Sequence, residues 1–482
     1  MMTAPALEIA VVLLGLLVLL LEAFAEKIDK RSLALIGMAG LGAVLLATFF
    51  LQSAPAAEAT GFWSFYTADP LAIFFKRFAL VTTILVLILM IDYAPVVRQS
   101  IHGATHQSGL GEFFALPLFT CAGLMWMASA VDFVMIFVSL ELVTMSFYVL
   151  VAFTRRNPLT LEAGVKYLIL SALSTGFLVY GITWIFGVTG ETNLARISDV
   201  LRSGAFDQAP ALFGIALILV ALGFKIAAVP FQIWVPDVYQ GAPTPVTAFL
   251  SVGSKAAGFV VLLRVLEPFF ILPQVQRLLV VLAGATLIYG NLAALPQTNL
   301  KRLLAYSSIA HAGYLLIGVV SLAGPAVGFY LVAYLLMTML SFAVLIIVAQ
   351  HTGERIEDFN GLSKRSPFLA FALLIAMASL AGVPFTAGFL GKFFIFDAAL
   401  RQHQTTLVIL GVITVACGFY YYLKVVGAMY WESSNTSAAI PLSGLSRYTM
   451  VALIAGIFVL GVYPQPILNA LQPKNPAPSI TR

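Results

Sequence analysis

ALGFKIAAVPFQIWVPDVYQGAPTPV, from Ala221 to Val246, sets a lysine and then a proline inside an apolar run, and follows them with Asp237 and three further prolines. Proline removes a backbone hydrogen bond and kinks a helix. A charge deep in hydrocarbon costs at least about 2.5–3.5 kcal/mol. A membrane helix carrying both is tolerated only where the break lies inside protein or faces water. The pattern recurs. AGVPFTAGFLGKFFIFDAAL, from Ala381 to Leu400, again holds Val-Pro-Phe with a lysine nearby, Lys392, and its Pro384 stands 154 residues after Pro230. Two interrupted spans at corresponding places are the sequence mark of an inverted-repeat transporter.

The rest of the 482-residue chain agrees with that frame. It is 61% hydrophobic and 10% charged, against about 25% charged in ordinary soluble domains. Its mean hydropathy is +1.00. The apolar residues fall in blocks long enough to cross a hydrocarbon core of about 30 Å. They predict an all-α polytopic membrane protein with about fourteen spans, near 7–25, 33–51, 70–91, 113–129, 132–153, 160–188, 211–236, 245–266, 277–295, 302–322, 326–349, 368–400, 406–431 and 447–466. Leu116 to Phe153 is too long for one crossing, and Ser129 with Asp132 supplies a turn and a helix cap in its middle. The first block resembles a signal peptide, with Ala23-Phe24-Ala25 behind it, but its basic residues follow rather than precede it. It reads as a retained span.

Residues 1–110 form three N-terminal spans, 111–268 a first unit of five and 275–431 a second, with a last span and tail over 432–482. The interrupted helix is the fourth in each unit. Because five is odd, the second unit is inverted relative to the first. Alternate loops hold Lys27, Lys30, Arg31, Arg98, Arg155, Arg156, Lys301, Arg302, Arg355, Lys364, Arg365 and Arg447, twice as many basic residues as the opposite loops with Arg196, Arg202, Arg277, Arg401, Lys474 and Arg482. The positive-inside rule puts the richer set in the cytoplasm and both termini on the periplasmic side.

Six ionisable groups on six spans fall near the bilayer midplane: Glu141, Lys166, Lys225, Lys255, His311 and Lys392. Counted at 1.5 Å per helical residue they lie about 12–20 Å in. Lys76, Arg77, Arg264 and Lys424 sit nearer to span ends, where a long stem snorkels to the interface. Several lysines with one central acid make a poor oxygen cage for a metal cation, whereas lysine and histidine carry protons. The set reads as a proton pathway. Cys121 and Cys417 lie in apolar blocks, with no CxxC metal site and no disulfide framework. No basic run suggests nucleic acid.

At SLELVTMSFYVL around Glu141, at Phe224–Phe259, at LLAYSSIAHAGYLLIG around His311 and at Glu357–Phe394, the chain resembles the proton-antiporter-like family of respiratory complex I. The Gly-Phe-Leu-Gly-Lys stretch ending at Lys392 matches one branch of that family, whereas another carries glutamate there. Gln232 stands where the family often has histidine. The resemblance implies that Glu141 and Lys225 pair in the first unit, that Lys166 modulates Lys225, that Lys255 bridges toward the second unit, and that His311 links it to the terminal carrier Lys392. It also implies a non-redox proton-translocating subunit of an NADH:quinone oxidoreductase in a bacterial inner membrane. This chain would hold no cofactor of its own; other membrane and peripheral subunits would be its partners, and flavin and iron–sulfur clusters would sit in partner subunits. Two other readings remain open at this point: a cation/proton antiporter subunit of a non-redox complex, and an inert membrane scaffold.

Overall fold

A computed structural model describes residues 5–25, 29–51, 63–101, 110–204, 206–433 and 438–471. Lys27, Lys474 and Arg482, counted above for orientation, lie outside them. In chain order the helices are α1 (Ala6–Phe24), α2 (Lys30–Ala47), α3 (Pro70–Ile101), α4 (Leu110–Ser129), α5 (Phe133–Val151), α6 (Pro158–Thr189), α7 (Leu194–Ser203), α8 (Gln208–Ile226), α9 (Val235–Gly241) and α10 (Thr244–Phe249). They continue as α11 (Lys255–Leu266), α12 (Pro273–Ala294), α13 (Leu300–Val320), α14 (Gly324–Ala349), α15 (Leu362–Arg365), α16 (Pro367–Ala381), α17 (Ala387–Arg401), α18 (Thr405–Tyr430), α19 (Gly444–Val462) and α20 (Gln465–Leu471).

Among the described residues, thirteen helical segments are long and apolar enough to cross a membrane. The pair α16 and α17, each half of an interrupted span, supplies the fourteenth crossing. Polar side chains set the helix starts. Asp132, Asn157, Asn193, Asp207 and Asn299 each accept a backbone N–H in the first turn, satisfying donors that a helix end leaves unpaired. Asp132 thus begins α5 three residues after Ser129 ends α4, as the sequence predicts. The third span differs from its expected end near residue 91. It continues to Ile101 through Pro95, and Asp92, where it was expected to stop, accepts from Ser446 Oγ (2.5 Å) of α19.

Burial sorts the helices into layers. α13 is buried along its whole apolar length, and α10–α11 and α14 nearly so, whereas α1, α2, α6 and α19 bury less than a third of theirs. The peripheral helices turn leucine and isoleucine outward, as Leu13, Leu17, Ile169 and Leu173 do. Lipid is as apolar as leucine, so an outward apolar face costs nothing there. The central helices therefore hold polar groups that the outer ones shield.

Both expected interruptions are present. α8 ends at Ile226, and Ala227 turns left-handed (φ 66°), with Ala228 N–H bonded to Gly223 O (2.8 Å). α9 resumes at Val235, and Pro230 lies in the gap. α16 ends at Ala381, and Gly382 turns left-handed (φ 94°), with Val383 N–H bonded to Ala378 O (3.0 Å). α17 resumes at Ala387, and Pro384 lies in that gap. A third irregularity was not read from the sequence: Leu250–Ser254, joining α10 to α11, is one turn of wider π-helix that ends where Lys255 begins. Such turns gather at functional sites.

Candidate functional site: a row of buried lysines and tyrosines

The last turn of α8 carries Lys225 into the interior. Its Nζ donates to Thr144 Oγ1 on α5 (2.7 Å) and to Ser171 Oγ on α6 (3.0 Å). Glu141, half-buried, lies three residues before Thr144 and accepts from Thr175 Oγ1 (2.7 Å), four residues after Ser171. Two rungs therefore join α5 to α6: one through the ammonium and one through the carboxylate. The expected direct Glu141–Lys225 ion pair is not formed. Two hydroxyls occupy the near shell of the ammonium, and the carboxylate acts on it from beyond that shell.

Lys255 opens α11 just after the π turn, buried to 1% exposure. Its Nζ donates to the carbonyl and the hydroxyl of Ser308 on α13, and lies 5.5 Å from the Tyr334 ring centre. Tyr239 OH also reaches Ser308 Oγ (3.4 Å), and Ser251 Oγ meets Tyr334 OH (3.0 Å). Among the described residues no hydrogen bond joins Lys225 to Lys255. The rings of Tyr167, Phe224, Trp234 and Tyr239 pack together beside that gap.

One turn beyond Ser308 lies His311. Its Nδ1 meets Tyr330 OH (2.6 Å) and its Nε2 meets Tyr422 OH (3.1 Å), while Tyr422 OH also bonds Ser307 Oγ. Each phenol is donor or acceptor according to the imidazole tautomer. His311 lies one turn from Ser308, which binds Lys255, and its ring packs on that of Tyr314, over which Lys392 sits.

Lys392 lies on α17, yet its Nζ turns back to the broken helix. It donates to Leu380 O and Ala381 O (2.9 Å each), the last carbonyls of α16. These are acceptors that the interruption frees, at the negative end of a helix dipole. The same ammonium lies 5.0 Å from the Tyr314 ring centre, and Tyr314 OH continues to Thr414 Oγ1 (3.2 Å). The lysine and the break are thus one structure: the proline gap makes the site that holds the charge.

Lys166 departs from its expected place. Its side chain is 40% exposed and pairs with Glu162 and Asp237 (2.7 Å each), and Asp237 in turn binds Arg302 (2.9 Å). It is not a buried midplane group, because α6 lies on the rim and turns that face outward. Snorkelling fails for three of the four residues assigned to it. Lys76 has no exposed side chain and pairs with Glu8 (2.8 Å). Arg264 forks onto Asp69 (2.8 and 2.9 Å) and onto Ala128 O. Arg77 binds Thr48 instead of reaching for water, and Lys424 remains exposed on Gln297 O. The tyrosines around His311 were missed. Tyr330 and Tyr334, four apart on the uncharged α14, and the Tyr421–Tyr422 pair were visible, but a tyrosine in a membrane helix reads first as an interfacial anchor. No group of three or more His, Cys, Asp and Glu side chains gathers among the described residues.

The site's buried lysines, broken helices and hydroxyl relays define a class, ion-translocating membrane subunits with interrupted helices. A family model described as NADH:quinone oxidoreductase/Mrp antiporter, transmembrane, matches residues 130–418. The chain belongs to this family. It is 40% identical over 468 residues to NADH-quinone oxidoreductase subunit N of Desulforamulus reducens, covering 95% of each chain. It is 37% identical to the subunit N of Methylovorus glucosotrophus, with 96% of this chain and 95% of that one covered. In structure it is similar to a chain of respiratory complex I from Thermus thermophilus with bound aureothin, at TM-score 0.81, 32% identity and coverage of 96% and 99%. The interrupted helices and the lysines Lys225 and Lys255 lie inside the matched region, as does Lys392.

Proposed function

We propose that this chain is the antiporter-like, non-redox proton-translocating subunit of a respiratory NADH:quinone oxidoreductase, of the kind its relatives named subunit N represent. Other membrane subunits and peripheral subunits are its partners, and the latter carry flavin and iron–sulfur clusters. It sits in a bacterial inner membrane with both termini outside. Residues 111–268 and 275–431 act as its two inverted units, flanked by 1–110 and 432–482. The observation that carries the reading is the polar row Lys255–Ser308–His311–Tyr330/Tyr422 leading toward Lys392, buried throughout and built from groups that hold protons rather than cage a cation.

Each group has a distinct task. Lys225 holds a proton between two hydroxyls, and Glu141 biases it from the second rung. Rotation of Lys225 away from them exposes it to burial without partners, which favours loss of the proton. The proton passes to Lys255, where the tyrosine–packed gap is crossed only when the interrupted helix moves. Ser308, the phenols and His311 relay it, each hydroxyl giving one proton as it takes another. Charge on Lys255 disfavours a second cation further along, so Lys392 releases its own proton. The membrane potential opposes each charge by about 2.3 kcal/mol per 100 mV, within reach of the several kcal/mol exchanged when a buried charge loses its partners. Lys166, at the rim, acts on Lys225 only through Asp237 and the packing of α6 on α9.

The test is Lys392→Ala in the whole complex reconstituted into vesicles. Protons moved per NADH should fall while the complex still assembles, and electron transfer should slow with it. An assembled Lys392→Ala complex with the wild-type proton yield removes Lys392 from the pathway.

A further inference from the structure

The three N-terminal helices lie outside both five-helix units, yet they contain a fully buried charge cluster. Glu8, in the first turn of α1, and Lys76, in the second turn of α3, both have side chains at 0% exposure. Lys76 Nζ lies 2.8 Å from Glu8 Oε1 and donates to Tyr66 OH, and Tyr66 OH donates to the same Glu8 Oε1 (3.0 Å). Every contact therefore falls on one carboxylate oxygen. The other, Glu8 Oε2, is buried and accepts nothing among the described residues.

A tie between two helices would gain most by using both oxygens, since a bare anionic oxygen away from water is costly. An apolar pair would hold the helices as well. A carboxylate that keeps one oxygen free is instead suited to bind a proton. Polar groups continue inward from it. Thr83 stands two turns beyond Lys76 on the same face of α3, and the buried Cys121 of α4 lies beside Thr83. Thr82 Oγ1 is another buried oxygen without a partner among the described residues of this core. The helix that opens with Lys255 also reaches this region: α11 carries Arg264, which forks onto Asp69, and Asp69 accepts from Ala72 N–H at the start of the helix bearing Lys76.

We infer that Glu8, Lys76 and Tyr66 form a second proton-holding site, in which Glu8 Oε2 takes up and returns a single proton. On loading, an Oε2–H bond forms with a water-borne proton and the carboxylate becomes a neutral acid. Lys76 keeps its own protons and its contact with the Tyr66 oxygen, and loses Glu8 as a counter-charge, with Asp69 and Arg264 the other charges that act on it. On release the Oε2–H bond breaks, the proton returns to water, and the ion pair re-forms. The weakened pair loosens α1 from α3 in the loaded state.

The inference rests on proton translocation by this chain, and the experiment separates the two. Glu8→Gln is made in the whole complex, alongside Glu8→Gln/Lys76→Met, in which no charge is left uncompensated. Proton yield per NADH is measured in vesicles, and carboxyl vibrations are followed by infrared difference spectra between acid and alkaline buffer. Lys392→Ala serves as the reference. The site predicts a lower proton yield in both Glu8 variants, and loss of one carboxylic-acid band that the Lys392→Ala complex retains. Assembled Glu8 variants with unchanged yield and unchanged bands overturn the inference while leaving the Lys392 effect in place. An unchanged yield in the Lys392 variant instead marks failure of the translocation reading. Loss of assembly in both Glu8 variants marks the pair as a structural tie and overturns the inference too.

Discussion

A lysine buried beside neutral oxygens behaves differently from one buried beside a carboxylate. Lys225, Lys255 and Lys392 all bond to hydroxyls or carbonyls, and none touches an acid. Their partners satisfy the ammonium without cancelling its charge, which leaves the proton free to go. Arginine is always charged, so Lys392→Arg should keep the carbonyl contacts and assembly yet restore only part of the proton yield lost in Lys392→Ala. The measure is protons per NADH in vesicles; full restoration would show that a fixed charge suffices there. Tyr422 is the residue whose phenol meets both His311 and Ser307. If that hydroxyl contributes about 1 kcal/mol to the transfer step, Tyr422→Phe should slow proton delivery about five-fold. Stopped-flow acidification of vesicles would read it, and an unchanged rate would take Tyr422 out of the relay. Glu141 was legible as a lone central acid, but its partner was not. Spacing along a helix gives depth, and only packing gives which of two hydroxyls stands between a carboxylate and an ammonium.

Elements rather than residues decide where the freed backbone groups go. The break after α16 needs Gly382 at φ 94°, a conformation glycine adopts without a Cβ penalty. Its carbonyls then face Lys392. The break after α8 uses Ala227 at φ 66° instead, and there the Phe224 carbonyl accepts both the Ala227 N–H (3.2 Å) and Trp234 Nε1 (3.0 Å). The two prolines announced both interruptions. They did not announce that one break is capped by a charge and the other by an indole, because that depends on which side chain crosses the gap. α17 also packs tightly on α14: a Cβ at Gly391 would collide with the ring of Tyr330, the phenol on His311 Nδ1. Gly391→Ala should therefore lower proton yield without removing any ionisable group. A displacement of the His311 ring signals in NMR of histidine-labelled complex would accompany it, whereas normal yield with normal signals would show that Tyr330 shifts at no cost.

At the scale of the whole molecule, Arg264 adds a polar tie to the packing of α4 on α3 and α11. Its guanidinium joins the end of α11 to Asp69 and to the end of α4. Burial alone would raise the Asp69 carboxyl, but the Arg264 fork holds it below the usual carboxylate range. The depressed value makes this tie fully present above about pH 4, the unfolded carboxylate value, and lost as pH falls through the lower folded value. Asp69→Asn should cost on the order of 2 kcal/mol at neutral pH, with less difference from wild type in strong acid. Thermal unfolding of the detergent-solubilised protein across pH checks this; a constant difference at every pH would mean that the charge plays no part. Asp69 immediately precedes α3, and Arg264 sits 195 residues later. Nothing local connects them.

What the sequence determined by itself is the set of properties that follow from position along the chain. Apolar block length made the spans, Asp132 and the other caps marked their starts, and the paired prolines located the interruptions. The expectation that Lys225, Lys255, His311 and Lys392 lie deep in their spans comes from the same counting, because rise per residue is constant in a helix. Tertiary structure alone decided the angular placement of each side chain. Counting from their helix ends puts both Lys166 and Lys225 deep in a span, yet Lys166 lies on a rim helix and is exposed, while Lys225 packs against Ser171, five residues further along α6, and is buried. Lys76 counted as interfacial and is sealed against Glu8, because α1 covers it. In water a helix's polar face announces the outside. In a membrane both lipid and core are apolar, so hydropathy reports depth but not direction, and the pairing of charges waits for the packing of helices.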